Sequence, residues 1–263
     1  MGLLCDTLQL HGGGVVSLVG AGGKTTLMFQ LARELAAEGQ SVLTTTTTKI
    51  SRPTSDQSRH VVLGEDLRAL LRKLGKLTSG ELHVTAGSRE LVGQSKLIGY
   101  APDQINAARN FGLFRWILVE ADGARRCPLK VPGAHEPVIP ASSGWVIAMV
   151  GLDAIGKPLD DQHVFRAQDY ARLTCTPIGS PVTAKSVIRA ILPPQGILKG
   201  SPLRSKRIVF LNRAEDRDRR AAGREIGRSL RERGNGVIDR LVIGSLVPKP
   251  LMIEVCDLHS DRF

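Results

Sequence analysis

The chain has 263 residues, of which 42% are hydrophobic, so it is long and apolar enough to bury a sizeable core. Its formal net charge of +11 raises the question of a nucleic-acid partner, but only 4% of the residues are aromatic. Part of the excess lies in residues 213–233, where eight arginines are interleaved with five acids, as on a solvated helix. Nucleic-acid binding is therefore disfavoured.

Two further functional classes are disfavoured by composition. The four cysteines lie far apart with no C-x-x-C pair, which suggests neither a disulfide framework nor a structural zinc site. No run of about 18 apolar residues occurs, and the N-terminal residues lack the pattern of a signal peptide. We expect a cytoplasmic protein that makes no contact with a membrane.

The first informative stretch, residues 15–35, reads as a strand, a glycine turn and a helix. Glycines let backbone N–H groups approach an anion closely, and the helix start adds its positive dipole end. In such a phosphate loop, Lys24 would reach the β- and γ-phosphates of ATP or GTP, and Thr25 would ligate Mg²⁺. The predicted nucleotide-binding residues are Gly20, Ala21, Gly22, Gly23, Lys24, Thr25 and Thr26.

The spacing of this loop departs from the usual G-x-x-x-x-G-K-[ST] pattern. The first glycine of that pattern would fall at Leu18, whereas the glycines here begin at Gly20. The loop is therefore a shortened form, and a plain glycine turn before a helix is the alternative. On the phosphate-loop interpretation, we expect Lys24→Ala to abolish nucleotide binding and leave the fold intact.

The second predicted strand runs into five threonines, residues 44–48. Their β-branched side chains suit a strand, while hydroxyls at a strand end would suit a ligand site, and both interpretations stay open. Beyond it the pattern predicts a loop at 51–59, short strands at 60–63 and 83–86, and helices at 66–77 and 102–110. Between them, residues 87–101 are expected to form a long loop, a hairpin or a small insertion.

Residues 116–123, WILVEADG, predict a strand buried on both faces that ends in carboxylates. Glu120 takes the position of the Mg²⁺-holding acid in a Walker B-like strand, and Glu120 to Gly123 has the D-x-x-G spacing of GTPases with Glu for Asp. Asp122, two residues later on the same side of the strand, is the other candidate for the Mg²⁺-holding acid. Strand-end surface acids are the alternative interpretation.

The following segment, residues 124–137, is dense in cations and prolines. Arg125, Arg126 and Lys130 are candidates for stabilising charge on a transferred phosphoryl group, with surface solvation as the alternative. His135 and Glu136 are weaker candidates for a general base or a metal ligand.

The C-terminal half predicts a strand at 145–150, helices at 163–173 and 183–192, a strand at 207–211, a charged helix, a last strand at 241–243 and an unstructured tail. Asp153 and Lys157 follow the first of these strands and are expected at the same cleft. Asn212 opens a stretch that resembles the guanine-reading N-K-x-D motif with Arg for Lys and Glu for Asp. The departures favour guanine over adenine only slightly.

Several segments together resemble the YqeC family: VGAGGKTT, TTTTKI, EADGAR, PLKVP, HEPVIP and GLDAIGKPL, which lie between Val19 and Leu159. The family is described as accessory proteins of selenium-dependent molybdenum hydroxylases. The resemblance implies a role in maturing such a hydroxylase, with the hydroxylase or its maturation factors as partners. It supplies no established reaction, so the residue roles rest on the chemistry above.

The sequence thus predicts one α/β domain over residues 1–263, with a doubly wound, mainly parallel sheet in a three-layer, P-loop NTPase-like fold. The expected function is Mg²⁺-dependent nucleoside triphosphate (NTP) hydrolysis or nucleotide switching. The predicted catalytic residues are Lys24, Glu120, Asp122, Arg125 and Lys130, the metal ligands are Thr25, Glu120 and Asp122, and Asn212 would contact the base. Alternatives are a non-catalytic nucleotide-binding adaptor and an ATP-dependent enzyme that forms acyl phosphates, as Mur ligases do.

Overall fold

The computed structural model describes residues 2–77, 82–233 and 236–258. Its helices are α1 (Leu3–Thr7), α2 (Lys24–Ala37), α3 (Leu67–Leu77), α4 (Pro102–Phe111), α5 (Ala167–Thr174), α6 (Ala184–Ile191) and α7 (Arg217–Arg233), with a 3₁₀ turn at Leu152–Ala154. Its strands are β1 (Gly14–Gly20), β2 (Val42–Thr46), β3 (Lys49–Ser51), β4 (Val61–Leu63), β5 (His83–Gly87), β6 (Arg89–Leu91), β7 (Lys96–Ile98), β8 (Trp116–Glu120), β9 (Leu129–Lys130), β10 (Ser143–Gly151), β11 (Val164–Phe165), β12 (Lys206–Asn212), β13 (Arg240–Ser245) and β14 (Leu251–Asp257).

The largest sheet has nine strands in the order β14-β13-β12-β10-β1-β8-β2-β5-β4. Every neighbouring pair is parallel except β13 with β14. The strand that precedes the glycine turn, β1, lies near the middle, between β8 and β10. The predicted α/β class with a mainly parallel sheet is confirmed.

Helices cover both faces of this sheet, as the unbroken apolar strands predict. One face packs against α1 and α2 through side chains such as Leu18 and Leu118. The other face packs against α3 and α4 on one half, where Val119 lies, and against α5, α6 and α7 on the other half, where Ala148 lies. The alternation of Leu118 and Val119 between faces follows from the two-residue period of a strand.

The parallel arrangement brings the C-terminal ends of β1, β2, β8, β10 and β12 to one edge of the sheet. This is the edge at which open α/β sheets bind ligands. It collects the glycine turn after β1, the acids at the end of β8 and Asn212 at the end of β12.

A separate three-stranded antiparallel sheet, in the order β3-β7-β6, stands beside this edge. It contains the hairpin foreseen within residues 87–101. Ile50 and Leu97 are buried in the core of the α2 face, 3% and 0% exposed. Residues 99 and 100 connect the small sheet to the end of β2 through backbone hydrogen bonds: Gly99 N donates to Thr48 O, and Tyr100 N donates to Thr46 O.

Two local predictions were wrong. The tail after β13 forms β14, because it pairs antiparallel with β13 and Met252 packs, partly buried, against the core, and local sequence does not signal this pairing. The helix expected at 163–173 begins only at Ala167, because Val164 and Phe165 pair with β9. The short helix α1 was not foreseen. Within the described residues no helix has the length and apolar character needed to cross a bilayer.

Gly99→Ala should destabilise the fold, because a Cβ at this position would lie 1.6 Å from the Thr46 carbonyl oxygen. Overpacking of this kind typically costs about 1–3 kcal/mol of unfolding free energy. Gly144→Ala is the matched control, since a Cβ there meets no atom within 4 Å and its φ is not positive. Urea denaturation measures both variants, and equal midpoints would contradict the close approach.

Candidate functional site

The glycine loop, residues 20–26, joins β1 to α2 and depends on glycine for its path. Gly22 has φ +88°, and a Cβ there would lie 2.4 Å from the backbone nitrogen of Gly151. Gly23 precedes α2 as its N-cap residue and offers no side chain to cap the helix. The first N–H groups of α2 therefore keep their bonding capacity for a ligand, as helix starts that bind anions do.

Lys24, the first residue of α2, is only 4% exposed and folds back toward the sheet. Its Nζ donates to Gly20 O at 2.5 Å and lies 3.1 Å from Asp122 Oδ1 and 3.8 Å from Glu120 Oε1. The structure thus brings together the predicted phosphate-binding lysine and both predicted acids. In this state the carboxylates neutralise the ammonium group.

Glu120 ends β8 and contacts the residue predicted to share its metal. Thr25 Oγ1 donates to Glu120 Oε2 at 2.6 Å. The backbone of Glu120 is fixed from the neighbouring strand, because Thr46 Oγ1 donates to Glu120 O at 2.6 Å. Two oxygen groups from different elements are therefore adjacent at the cavity wall.

Asp122 holds the start of the glycine loop. Its Oδ2 accepts the backbone N–H of Gly20 at 3.0 Å and lies 3.0 Å from Lys130 Nζ. At 1% exposure the carboxylate is more deeply buried than Glu120, which is 6% exposed. Asp122 therefore braces the loop and both lysines, whereas Glu120 contacts Thr25.

Lys130 continues the charge network inward. It is 1% exposed, and its Nζ donates to Gly123 O and to Glu136 Oε2, both at 2.7 Å. Arg166 Nη1 donates to the same Glu136 oxygen at 2.8 Å. The order Glu120, Lys24, Asp122, Lys130, Glu136, Arg166 is a chain of alternating charges with a formal sum of zero.

The network and the burial of its members shift the pKa values of three of these groups, Lys24, Glu120 and Glu136. Burial alone would lower the pKa of Lys24, but the carboxylates of Asp122 and Glu120 outweigh it and the pKa is raised. Burial raises the pKa of Glu120, which the charge of Lys24 and the hydrogen bond from Thr25 offset only in part. For Glu136 the effect of burial is reversed by Lys130 and Arg166, so its pKa is lowered.

A cavity of about 950 Å³ opens beside the loop and this network. Its walls come from four regions: the glycine loop, the segment from β2 to β3 with Lys96 of β7, the segment after β8, and side chains from later in the chain. The lining residues are Gly22, Gly23, Lys24, Thr25, Thr26, Thr48, Lys49, Ile50, Ser51, Lys96, Glu120, Gly123, Ala124, Arg125, Arg126, Cys127, Glu136, Phe165 and Arg213.

The three cations predicted after β8 differ in burial: Arg125 and Arg126 are exposed, whereas Lys130 is buried. Arg125 and Arg126 are exposed and line the cavity, with the guanidinium carbon of Arg125 5.2 Å from the centre of the Phe165 ring. Lys130 is buried among three oxygen partners, so its place is in the network that holds Asp122. Glu136 belongs both to the cavity wall and to the charge network, because it lines the cavity and pairs with Lys130.

The threonine run is mainly structural. Thr44 Oγ1 lies 2.7 Å from Thr85 Oγ1, Thr45 Oγ1 donates to Ala86 O and Thr47 Oγ1 donates to Val138 O, so three hydroxyls join neighbouring segments. Thr48 alone of the five lines the cavity.

Asn212 lies beneath the glycine loop and is 4% exposed. Its Nδ2 donates to Gly22 O at 2.7 Å, and its Oδ1 accepts the N–H of Leu246 at 3.1 Å. The side chain therefore ties the loop to the end of β13. The guanine contact expected of Asn212 stays a prediction.

Several lining residues were not foreseen: Lys49, Ser51, Lys96, Phe165 and Arg213. Lys49 and Lys96 lie on one face of the small sheet because β3 pairs with β7, and no local pattern signals that pairing. Asp153 and Lys157 do not line the cavity, although Asp153 forms an ion pair with Arg213, which does.

Comparison with known proteins identifies the family of the chain. The family described as YqeC protein matches residues 16–168, the part that contains the glycine loop, both acids and Lys130. The uncharacterized protein YqeC of Escherichia coli (strain K12) is 35% identical over 218 residues, which is 83% of this chain and 83% of that protein. The chain belongs to the YqeC family.

Proposed function

We propose that the protein binds a Mg²⁺-complexed ATP or GTP at the glycine loop and hydrolyses it or switches conformation with it. One observation carries this proposal: Lys24, Thr25 and Glu120 converge at the start of α2, beside a cavity. A lysine for the phosphates, a hydroxyl for the metal and an acid from the neighbouring strand are the parts that P-loop NTPases use.

The donor set suits Mg²⁺. This ion keeps several waters and is usually bound through one or two carboxylates together with substrate phosphates. Glu120 Oε2 and Thr25 Oγ1 are 2.6 Å apart and supply the hard oxygen ligands that it prefers. Within the described residues no cluster of three or more His, Cys, Asp or Glu side chains forms a metal cage of its own. Bound there, Mg²⁺ would neutralise charge on the phosphates.

The contacts of the two acids, Glu120 and Asp122, support a different role for each. Glu120 contacts Thr25 and lines the cavity, so we assign it to the metal. Asp122 accepts the Gly20 N–H and pairs with Lys24 and Lys130, so we assign it to positioning the loop and Lys24. We therefore propose Glu120, in preference to Asp122, as the acid that holds the metal.

Binding exchanges the partners of Lys24. Its ammonium group pairs with Asp122 and Glu120, which are 3.1 and 3.8 Å away. A triphosphate offers stronger, charge-assisted hydrogen bonds to the same group. Arg125 lines the cavity and would stabilise the charge that develops on the transferred phosphoryl group.

The biological setting comes from the family resemblance. We propose that nucleotide turnover drives maturation of a selenium-dependent molybdenum hydroxylase, which would be the client of this protein. A non-catalytic adaptor is the second candidate, favoured by the pairing of Lys24 with Asp122 and Glu120, since a nucleotide that replaces these partners would alter the site without being hydrolysed. Phosphate release stimulated by the client supports turnover, whereas complex formation that needs unhydrolysed nucleotide supports the adaptor.

Lys24→Ala should abolish tight nucleotide binding, with affinity reduced by about 10- to 100-fold for the loss of a charge-assisted contact. Contrary to the expectation from sequence, the variant should also be less stable, because Lys24 is buried and its removal leaves two carboxylates without it. Removing one partner of a buried pair typically costs about 3–5 kcal/mol. Calorimetric titration with ATP and GTP measures the first effect, and thermal unfolding the second.

The double variant Lys24→Ala/Asp122→Asn separates these two effects. Neutralising Asp122 should restore part of the stability, since less unpaired charge stays buried, but it should restore no affinity. A folded Lys24→Ala protein with wild-type affinity for both nucleotides would remove the phosphate-loop proposal.

Glu120→Gln should slow phosphate release by about 10² to 10³-fold, the usual cost of losing one preorganised electrostatic group, and should weaken nucleotide binding much less. The measurement is single-turnover phosphate release at varied Mg²⁺, with and without the client hydroxylase.

Glu90→Gln is the control for Glu120→Gln, because Glu90 pairs with Arg52 on the hairpin and does not line the cavity. It should release phosphate at the wild-type rate. Wild-type rate and Mg²⁺ dependence in Glu120→Gln would place Glu120 outside the active site. A wild-type protein that never hydrolyses nucleotide, even with its client, would leave the adaptor.

A further inference from the structure

The cavity carries more positive charge than one nucleotide uses. Six lysines and arginines line it against two carboxylates, Glu120 and Glu136, both of which already have cationic partners. Arg213 is paired with Asp153. Lys49, Lys96, Arg125 and Arg126 form no ion pair with a carboxylate within residues 2–77, 82–233 and 236–258. A triphosphate with bound Mg²⁺ carries only about two net negative charges, so positive charge is left over.

Two of these cations stand on one face of the small antiparallel sheet. Ser51 pairs with Lys96, and Lys49 pairs with Ile98, so Lys49 and Lys96 are diagonal neighbours on the same face. Ile50 and Leu97 point the other way and are buried in the core. Burial of one face thus fixes both lysines toward the cavity, although like charges at this spacing repel each other.

The arginines of the opposite segment are held in an unusual backbone conformation. Arg125 and Arg126 have φ of +46° and +66°, and Arg166 and Arg213 also have positive φ, at +66° and +64°. Arginine has no special preference for this region, and such residues cluster at functional sites where the surrounding structure enforces them. Arg125, Arg126 and Arg213 all line the cavity.

We infer that this part of the cavity binds a second ligand, a small-molecule phosphate ester, beside the nucleotide and on the cations Lys49, Lys96 and Arg126. A dianionic phosphate ester matches three cations better than a single carboxylate, which one arginine satisfies. About 950 Å³ lies at the upper end of the usual range for ligand pockets, which leaves room beyond a nucleotide. The inference rests on the proposed function, because it places this ligand beside the bound nucleotide.

Phenyl phosphate is the probe, titrated by calorimetry into protein saturated with Mg²⁺ and the β,γ-imido form of whichever nucleotide binds. We expect saturable binding to the loaded wild type. The double variant Lys49→Gln/Lys96→Gln should bind phenyl phosphate about tenfold more weakly or worse and keep its nucleotide affinity. The control Lys185→Gln/Arg228→Gln removes the same two charges from exposed positions on α6 and α7, outside the cavity, and should behave as wild type.

Three results would overturn the inference: no saturable binding to the loaded protein, equal weakening in the control, or competition between phenyl phosphate and nucleotide for one site. If no nucleotide binds, the proposed function fails, and the titration is made on the unliganded protein. Binding that is lost in Lys49→Gln/Lys96→Gln but kept in Lys24→Ala then supports the second anion site by itself. Binding lost only in Lys24→Ala places the probe in the glycine loop and overturns it.

Discussion

The contact between Lys24 and the carboxylates of Glu120 and Asp122 is the constraint on which the rest of the site depends. All three residues are at most 6% exposed, and isolated charges at that depth would cost several kcal/mol each. Their cost is offset because the charges alternate and because backbone groups complete the bonding, as the Gly20 carbonyl and N–H do. The start of the glycine loop, the end of β8 and the start of α2 are thereby fixed to one another.

This network also accounts for a deeply buried lysine beside a cavity, because the carboxylates hold its ammonium group in place. On the proposed function, a phosphate would replace one set of anionic partners with another. Lys130, Glu136 and Arg166 extend the same alternation behind Asp122, so that moving one charge disturbs the next. A nucleotide-dependent change at Lys24 would therefore be transmitted through Asp122 to the segment that follows β8.

The outer wall of the cavity follows a different rule. There the cations are exposed, stand on a small sheet and on a loop with left-handed arginines, and lack carboxylate partners in the described part of the chain. The inner wall is neutral overall, whereas the outer wall is positively charged. One cavity thus combines a phosphate-loop candidate with a positively charged surface.

The sequence by itself determined the mainly parallel sheet, the glycine loop and the acids that face it. These features are local, since apolar strands, glycine turns and helix starts are written in consecutive residues. Only the tertiary structure decided that Glu120 meets Thr25 while Asp122 braces the loop, that Lys130 is buried, and that the tail forms β14. The tertiary structure also placed Lys49 and Lys96 on one face of the small sheet, through the pairing of β3 with β7. Pairing between distant strands depends on which faces the core buries, and the local sequence does not indicate this.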